Sequence, residues 1–215
     1  MRSFTEPFAP LSEDARRRSR EAAMAAGPGD LVGELAAFWL FGYGSLMWDA
    51  RFPHVAARPA RLLGWRREMC VWTALARGTP DCPGLALGLL PGGVCDGMAF
   101  KIAGAGRERA LELIWEREMW TDIYRPTWVS LELDGEGNVE TGGGPISALT
   151  FTVNRASRQF AGDLTAAQTI DHIARPIGER GPCRDYLANT IASLRSLGIE
   201  EAHLNALNET VKSGG

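Results

Sequence analysis

A chain of 215 residues with 45% hydrophobic content is long enough to bury a sizeable core within one domain. Its 26 acidic and 23 basic side chains give a formal net charge of -3, which supplies neither a basic field for nucleic acid nor a polybasic membrane patch. A small-molecule partner is the default expectation.

The first thirty residues have no continuous apolar run, and acidic residues interrupt the basic ones, so no secretory signal is read there and a cytoplasmic setting is expected. Ser12 reads as an N-cap, with Glu13 and Asp14 in the first turn, where the helix dipole favours negative charge. The helix is expected over residues 13 to 26, ending at Gly27-Pro28-Gly29. Residues 1–30 are therefore read as an N-terminal helical extension and 31–212 as the main domain. Leu31 to Leu40 is apolar but short and broken by Glu34, so it leads into a strand and does not span a membrane.

Phe38-Trp39-Leu40-Phe41 favours a pleated, packed surface and reads as a buried strand, which breaks into Gly42-Tyr43-Gly44-Ser45-Leu46. Two glycines two apart allow a tight turn in which the N–H groups of Gly44, Ser45 and Leu46 converge on a carboxylate or carbonyl oxygen. That is a site for an anionic small molecule. Counting excludes three other loops. A dinucleotide fingerprint needs a glycine where Met47 stands, and a hydrolase nucleophile elbow needs glycines in place of Tyr43 and Met47. A phosphate-binding loop needs Gly-Lys-Ser/Thr, which is absent. The plain alternative is a turn between two core strands.

Arg58 to Thr73 reads as a strand bent at Gly64, and Leu85 to Leu90 and Val94 to Ile102 as two strands joined in a hairpin by Pro91-Gly92-Gly93. Residues 106 to 120 place Leu111, Ile114, Trp115 and Met119 on one helical face. Glu118 follows Trp115 by three and Leu111 by seven, so its carboxylate falls on that face or at its edge, whereas Glu112 and Glu116 point elsewhere. An ionisable group there is costly unless it is partnered or serves as an acid or base. The plain alternative puts Glu118 with Arg117 in a charged surface run.

Tyr124-Arg-Pro126 leads into a strand over Thr127 to Leu133, Asp134-Gly-Glu-Gly137 reads as a turn, and Ile146 to Val153 as another strand. The remainder reads as helices over Thr165 to Ala174, Arg184 to Leu197 and Glu200 to Val211, the second stopped by Gly198. Cys70, Cys82, Cys95 and Cys183 form no Cys-x-x-Cys pair and are read as reduced thiols, not zinc ligands. His54, His172 and His203 fall in regions that read as loop or helix surface, outside any metal or triad spacing. Together these elements predict an α+β fold in one domain, a mixed and mainly antiparallel sheet curled toward a small barrel with helices around it.

The motifs Phe41-Gly-Tyr-Gly-Ser-Leu-Met-Trp48, Phe52-Pro53, Gly64-Trp65-Arg66-Arg67, Arg77-Gly78-Thr79-Pro80, Trp115-Glu-Arg-Glu118-Met119, Tyr124-Arg-Pro126 and Gly181-Pro-Cys-Arg-Asp-Tyr-Leu187 occur in this order. In that arrangement the chain resembles the ChaC-like gamma-glutamylcyclotransferases, and separated motifs in order are far more specific than one loop. The resemblance implies cleavage of glutathione to 5-oxoproline and Cys-Gly, with no cofactor or metal. Glu118 matches the catalytic glutamate, Tyr124 and Tyr186 match substrate-contacting tyrosines, and the Tyr43, Gly44, Ser45 and Leu46 loop would hold the γ-glutamyl group. The substrate's own α-amine is the implied nucleophile. A cyclotransferase for another γ-glutamyl peptide or γ-glutamylamine, and a noncatalytic binding module on the same fold, are the alternatives. No nucleic-acid or membrane partner is expected, and the oligomeric state is not legible.

Overall fold

The computed structural model describes residue 4, residues 8–29, residue 31, residues 36–133 and residues 144–213. The chain divides into two compact units, Pro10–Arg67 with Leu89–Thr152, and Met1–Ala9 with Glu68–Gly88 and Val153–Gly215.

The first unit contains most of a closed barrel. Strands β1 (Phe38–Gly42), β2 (Ala56–Thr73), β3 (Gly84–Ile102), β4 (Tyr124–Leu133) and β5 (Ile146–Val153) close in the order β1-β3-β2-β4-β5. β1 runs antiparallel to β3, with Phe41 opposite Ala99, and β2 runs antiparallel to β4, with Leu62 opposite Leu131. The parallel pairing of β1 with β5, Leu40 opposite Leu149, closes the ring. This is the mixed, mainly antiparallel sheet that the sequence predicts, and closure leaves the barrel itself without an open edge.

The hairpin expected at Pro91-Gly92-Gly93 does not form. Residues 84–102 are one continuous strand that neighbours the long β2 in the barrel, not two strands folded onto each other. Gly92 and Gly93 have φ of 97° and 87°, so the turn-forming residues kink a continuous strand. Gly64, with φ 80°, provides the bend expected in β2. It also shifts the alternation, since Ala60 and Leu62 face inward before it and Arg67 and Met69 after it.

Two helices complete this unit. Helix α1 (Glu13–Ala25) begins as expected, with Ser12 Oγ accepting the Ala15 N–H at 3.2 Å. Helix α2 (Arg107–Glu118) buries Leu111, Ile114 and Trp115 of the predicted stripe together with Ala110, and Met119, the last residue of that stripe, is buried just beyond the helix. Leu111, Ile114 and Met119 each contribute about 1.5–3 kcal/mol when fully removed from water. The Trp115 ring meets Phe151 edge to face at 5.4 Å, which seats α2 on β5. α1 is held in place by Trp115 Nε1 donating to Ser19 Oγ at 3.3 Å, Trp128 Nε1 donating to Ala23 O at 2.8 Å, and an Arg20–Glu108 ion pair at 3.0 Å.

The second unit packs α3 (Ala166–Ala174), α4 (Cys183–Ser196) and α5 (Ala202–Ser213) on one another, with a small hairpin of β6 (Ile177–Gly178) and β7 (Gly181–Pro182) before α4. Thr165 and Gln168 form a capping box at the start of α3. His172 corrects the expectation of a surface histidine. It is 2% exposed, its Nδ1 lies 2.8 Å from Pro83 O, and its ring meets Trp72 edge to face. The alternation of α3 turns that position toward an aromatic neighbour, so His172 serves as packing. The turn expected at Asp134 to Gly137 lies outside the described residues. Among the described residues no helix is long and apolar enough to cross a membrane.

Candidate active site

β1 ends at Gly42, and the chain turns through Tyr43 and Gly44 into a short 3-10 turn, Ser45–Met47. A Cβ on Gly42 would stand 3.0 Å from the Cβ of Leu46 and 3.4 Å from the Phe100 ring, so glycine is what lets the loop fold back on its own strand. The Met47 N–H donates to Gly44 O at 2.9 Å and the Asp49 N–H to Ser45 O at 3.0 Å. The N–H groups of Ser45 and Leu46 precede the first of these bonds and are not used by the turn itself.

Two side chains of the loop are anchors. The Tyr43 hydroxyl donates to Phe151 O at 2.9 Å, and Leu46 lies in the core cluster with Phe52 and Phe100. Beneath the loop lies Arg67, fully buried, whose Nε donates to Tyr43 O at 2.9 Å and whose Nη2 donates to Asp96 O. A buried guanidinium is expensive unless its donors are satisfied, and here it spends them on backbone carbonyls on either side. What the loop presents outward is the half-buried Ser45 and the backbone.

Glu118 closes α2. Its side chain is 13% exposed, and burial pushes its carboxyl up to about 7, against an opposing pull from the neighbouring Arg117 guanidinium. The Arg117 Nε lies 3.2 Å from Glu118 Oε1. The same guanidinium donates from Nη2 to Ser45 Oγ at 2.7 Å and from Nη1 to Asp49 O at 2.5 Å. A carboxyl that titrates near neutrality therefore sits beside a cation fastened to the glycine loop. Such a group can take a proton from an ammonium and return it to a departing nitrogen.

The other carboxylates of α2 behave as their spacing predicts. Glu112 pairs with Arg109 at 2.9 Å on the surface, and Glu116 is exposed. Trp120 stays 52% exposed, under the Arg16 guanidinium. Tyr124 begins β4 and packs against the same core cluster as Trp115 and Phe52. Tyr186 belongs to the second unit, on α4, where its hydroxyl accepts the Leu87 N–H at 3.4 Å and Arg77 lies over its ring at 5.6 Å. The loop 43–46 and Glu118 are thus brought together through Arg117, while Tyr186 is described within its own unit.

Sequence reasoning quoted Arg67 and Arg117 only within longer motifs, with no role for either, and did not single out Asp49. Arg67 is hidden because the bend at Gly64 changes which residues of β2 face inward. Arg117 reads as a surface charge beside Glu118, because neighbours in a helix do not face each other. The signal that could have found it is its place in the last helical turn, from which a long side chain reaches beyond the helix end.

The family model described as ChaC-like protein matches residues 38–214. The chain is 32% identical over 201 residues to the glutathione-specific gamma-glutamylcyclotransferase of Escherichia coli (strain K12), covering 94% of this chain and 82% of that one. It is 30% identical over 179 residues to gamma-glutamylcyclotransferase 2-3 of Arabidopsis thaliana, covering 82% of this chain and 89% of that one. In fold it is similar to the crystal structure of a yeast gamma-glutamylcyclotransferase specific to glutathione, with a TM-score of 0.73 and 21% identity over 82% of this chain and 96% of that one. The chain belongs to the ChaC-like protein family.

Proposed function

We propose that this chain is a cytoplasmic gamma-glutamylcyclotransferase that cleaves glutathione to 5-oxoproline and Cys-Gly, with the catalytic groups in residues 31–212. Relatives from Escherichia coli and Arabidopsis thaliana that bear this activity in their names support the reaction class. The observation that carries the mechanism is the Glu118 carboxyl, mostly buried and pushed up to about 7, beside a guanidinium held by Ser45.

The substrate's α-ammonium must lose a proton before its nitrogen can attack the γ-glutamyl carbonyl. An ordinary glutamate is a weak base at neutral pH, and Glu118 is matched to the task by its burial. Attack forms the C–N bond of a five-membered lactam, and the carbonyl carbon becomes tetrahedral with its oxygen negative. Collapse of that intermediate breaks the bond to the cysteine nitrogen, which leaves with the proton that Glu118 returns, and the attacking nitrogen gives up its second proton, which converts the released amine to the Cys-Gly ammonium. No enzyme nucleophile, water or metal enters the balance.

Because nucleophile and electrophile belong to one molecule, catalysis depends on holding the γ-glutamyl group curled. Orientation of this kind contributes up to about 7–11 kcal/mol. N–H groups of the 43–46 loop are suited to fix the α-carboxylate or to steady the oxyanion. Tyr124 and Tyr186 are proposed as further substrate contacts.

The test is incubation of the purified protein with glutathione, other γ-glutamyl dipeptides and γ-glutamylamines, with 5-oxoproline measured directly. Glutathione is expected to turn over fastest. Faster release from another compound reassigns the substrate, and release from none leaves a binding module.

A further inference from the structure

We propose that Arg117 is a positioning residue that ties the Glu118 carboxylate to Ser45, so that the proton acceptor and the substrate-holding loop keep a fixed geometry. The inference rests on the reading of Glu118 as the acid/base group and assigns the residue that orients it.

The contact between Arg117 and Glu118 is not one that helix geometry supplies. Side chains at i and i+1 diverge on a helical surface, and pairs form at i+3 or i+4, as Arg17 does with Asp14 and Glu21 on α1. Arg117 is drawn away from the helix by two acceptors on the loop, Ser45 Oγ at 2.7 Å and Asp49 O at 2.5 Å. With its Nη atoms so placed, its Nε lies 3.2 Å from Glu118 Oε1. The planar fork of a guanidinium thus divides its donors among a loop hydroxyl, a loop carbonyl and the carboxylate, which a lysine ammonium cannot do from one position.

Burial separates this arginine from the surface ion pairs. Both members of this pair are shielded, Arg117 at 27% and Glu118 at 13% exposed, whereas Arg17 pairs at 52%, Arg109 at 58%, and Arg20 meets a Glu108 that is 61% exposed. Less screening by water makes the guanidinium a more effective local charge. From the loop, Asp49 faces it with a carboxylate oxygen at 3.5 Å, and Asp49 is held in turn by Arg51. From β2, Arg67 is spent on the carbonyls of Tyr43 and Asp96. Arg117 is therefore placed to favour the ionised form of Glu118, in opposition to burial.

The experiment measures kcat, KM and the pH profile of kcat/KM with glutathione for wild type, Arg117→Gln, Arg117→Lys and Glu118→Gln. Removing the charge in Arg117→Gln is expected to lower kcat by about 10- to 100-fold, with a smaller effect on KM, and to move the acidic limb of the profile to higher pH. Arg117→Lys keeps the charge but not the fork, so kcat should fall while the limb stays near its wild-type position. An Arg117→Gln protein with wild-type kcat and limb overturns the proposal. So does one whose melting temperature falls while kcat per folded molecule and the limb are unchanged, since that is a structural role only. If Arg117→Gln does not fold, Arg117→Lys decides, and wild-type kcat there overturns the proposal. Glu118→Gln separates the two claims. If it retains turnover, the assignment of Glu118 fails and the role of Arg117 with it, whereas an inactive Glu118→Gln beside a fully active Arg117→Gln overturns Arg117 alone.

Discussion

The buried guanidinium of Arg67 donates through Nε to the carbonyl oxygen of Tyr43 at 2.9 Å. A strand residue therefore holds the backbone of the glycine loop from beneath. Arg67→Met removes one charged donor from each of the Tyr43 and Asp96 carbonyls, and a hydrogen bond to a charged group contributes about 1.5–3 kcal/mol. Relief of the buried charge offsets part of this, leaving an expected loss of about 2 kcal/mol in urea unfolding. The released loop should also raise KM for glutathione more than it lowers kcat. Wild-type stability and KM in this variant would show that the loop is held by other contacts.

Gly42 tests the fold-back of the loop on its strand. A Cβ there stands 3.0 Å from Leu46 Cβ, so Gly42→Ala should destabilise by about 1–3 kcal/mol through overpacking and displace the loop. Gly29 has nothing within 4 Å of its Cβ position, and Gly29→Ala should be neutral or slightly stabilising. Thermal unfolding of the two variants side by side makes the comparison, and equal melting temperatures would contradict it.

Glu118→Gln preserves shape but cannot exchange a proton. Its turnover should fall by about 10²-fold or more while glutathione still binds. Glu112→Gln and Glu116→Gln should retain wild-type turnover, since the first residue is paired with Arg109 on the surface and the second is exposed. Loss of binding with kcat preserved in Glu118→Gln would make Glu118 an anchor for the substrate's ammonium group and not a base.

The burial of Glu118 also has a stability signature. Its carboxyl, raised from 4.5 to about 7 in the folded chain, holds a proton in that interval when the unfolded chain has lost it. Stability from this group is therefore present below about pH 4.5 and is lost as pH rises to about 7, a change on the order of 3 kcal/mol. Glu118→Gln has no such dependence. Its melting temperature should rise relative to wild type between pH 5 and pH 8, and a constant difference across that range would mean that the carboxyl is not raised.

The barrel and the site were legible to different degrees in the sequence. β5 and the burial stripe of α2 follow directly from periodicity, because each packs against the core over its full length. The kink at Gly92 and Gly93 was read as a hairpin because local turn chemistry cannot reveal that the chain continues as one strand beside the long β2. The burial of Glu118 was legible from its place on the stripe. Arg67 and Arg117 were not, since the importance of each lies in backbone and side-chain acceptors distant in sequence, Tyr43 for one and Ser45 for the other.

The central claim is that the substrate's own α-amine, and not water, displaces the cysteine nitrogen. Reaction of glutathione in water enriched in oxygen-18, followed by mass analysis of the products, separates the two directly. Intramolecular attack predicts 5-oxoproline with no oxygen from solvent, released with an equal amount of Cys-Gly. Glutamate carrying one oxygen-18 atom as the first product would make the reaction a hydrolysis and contradict the account.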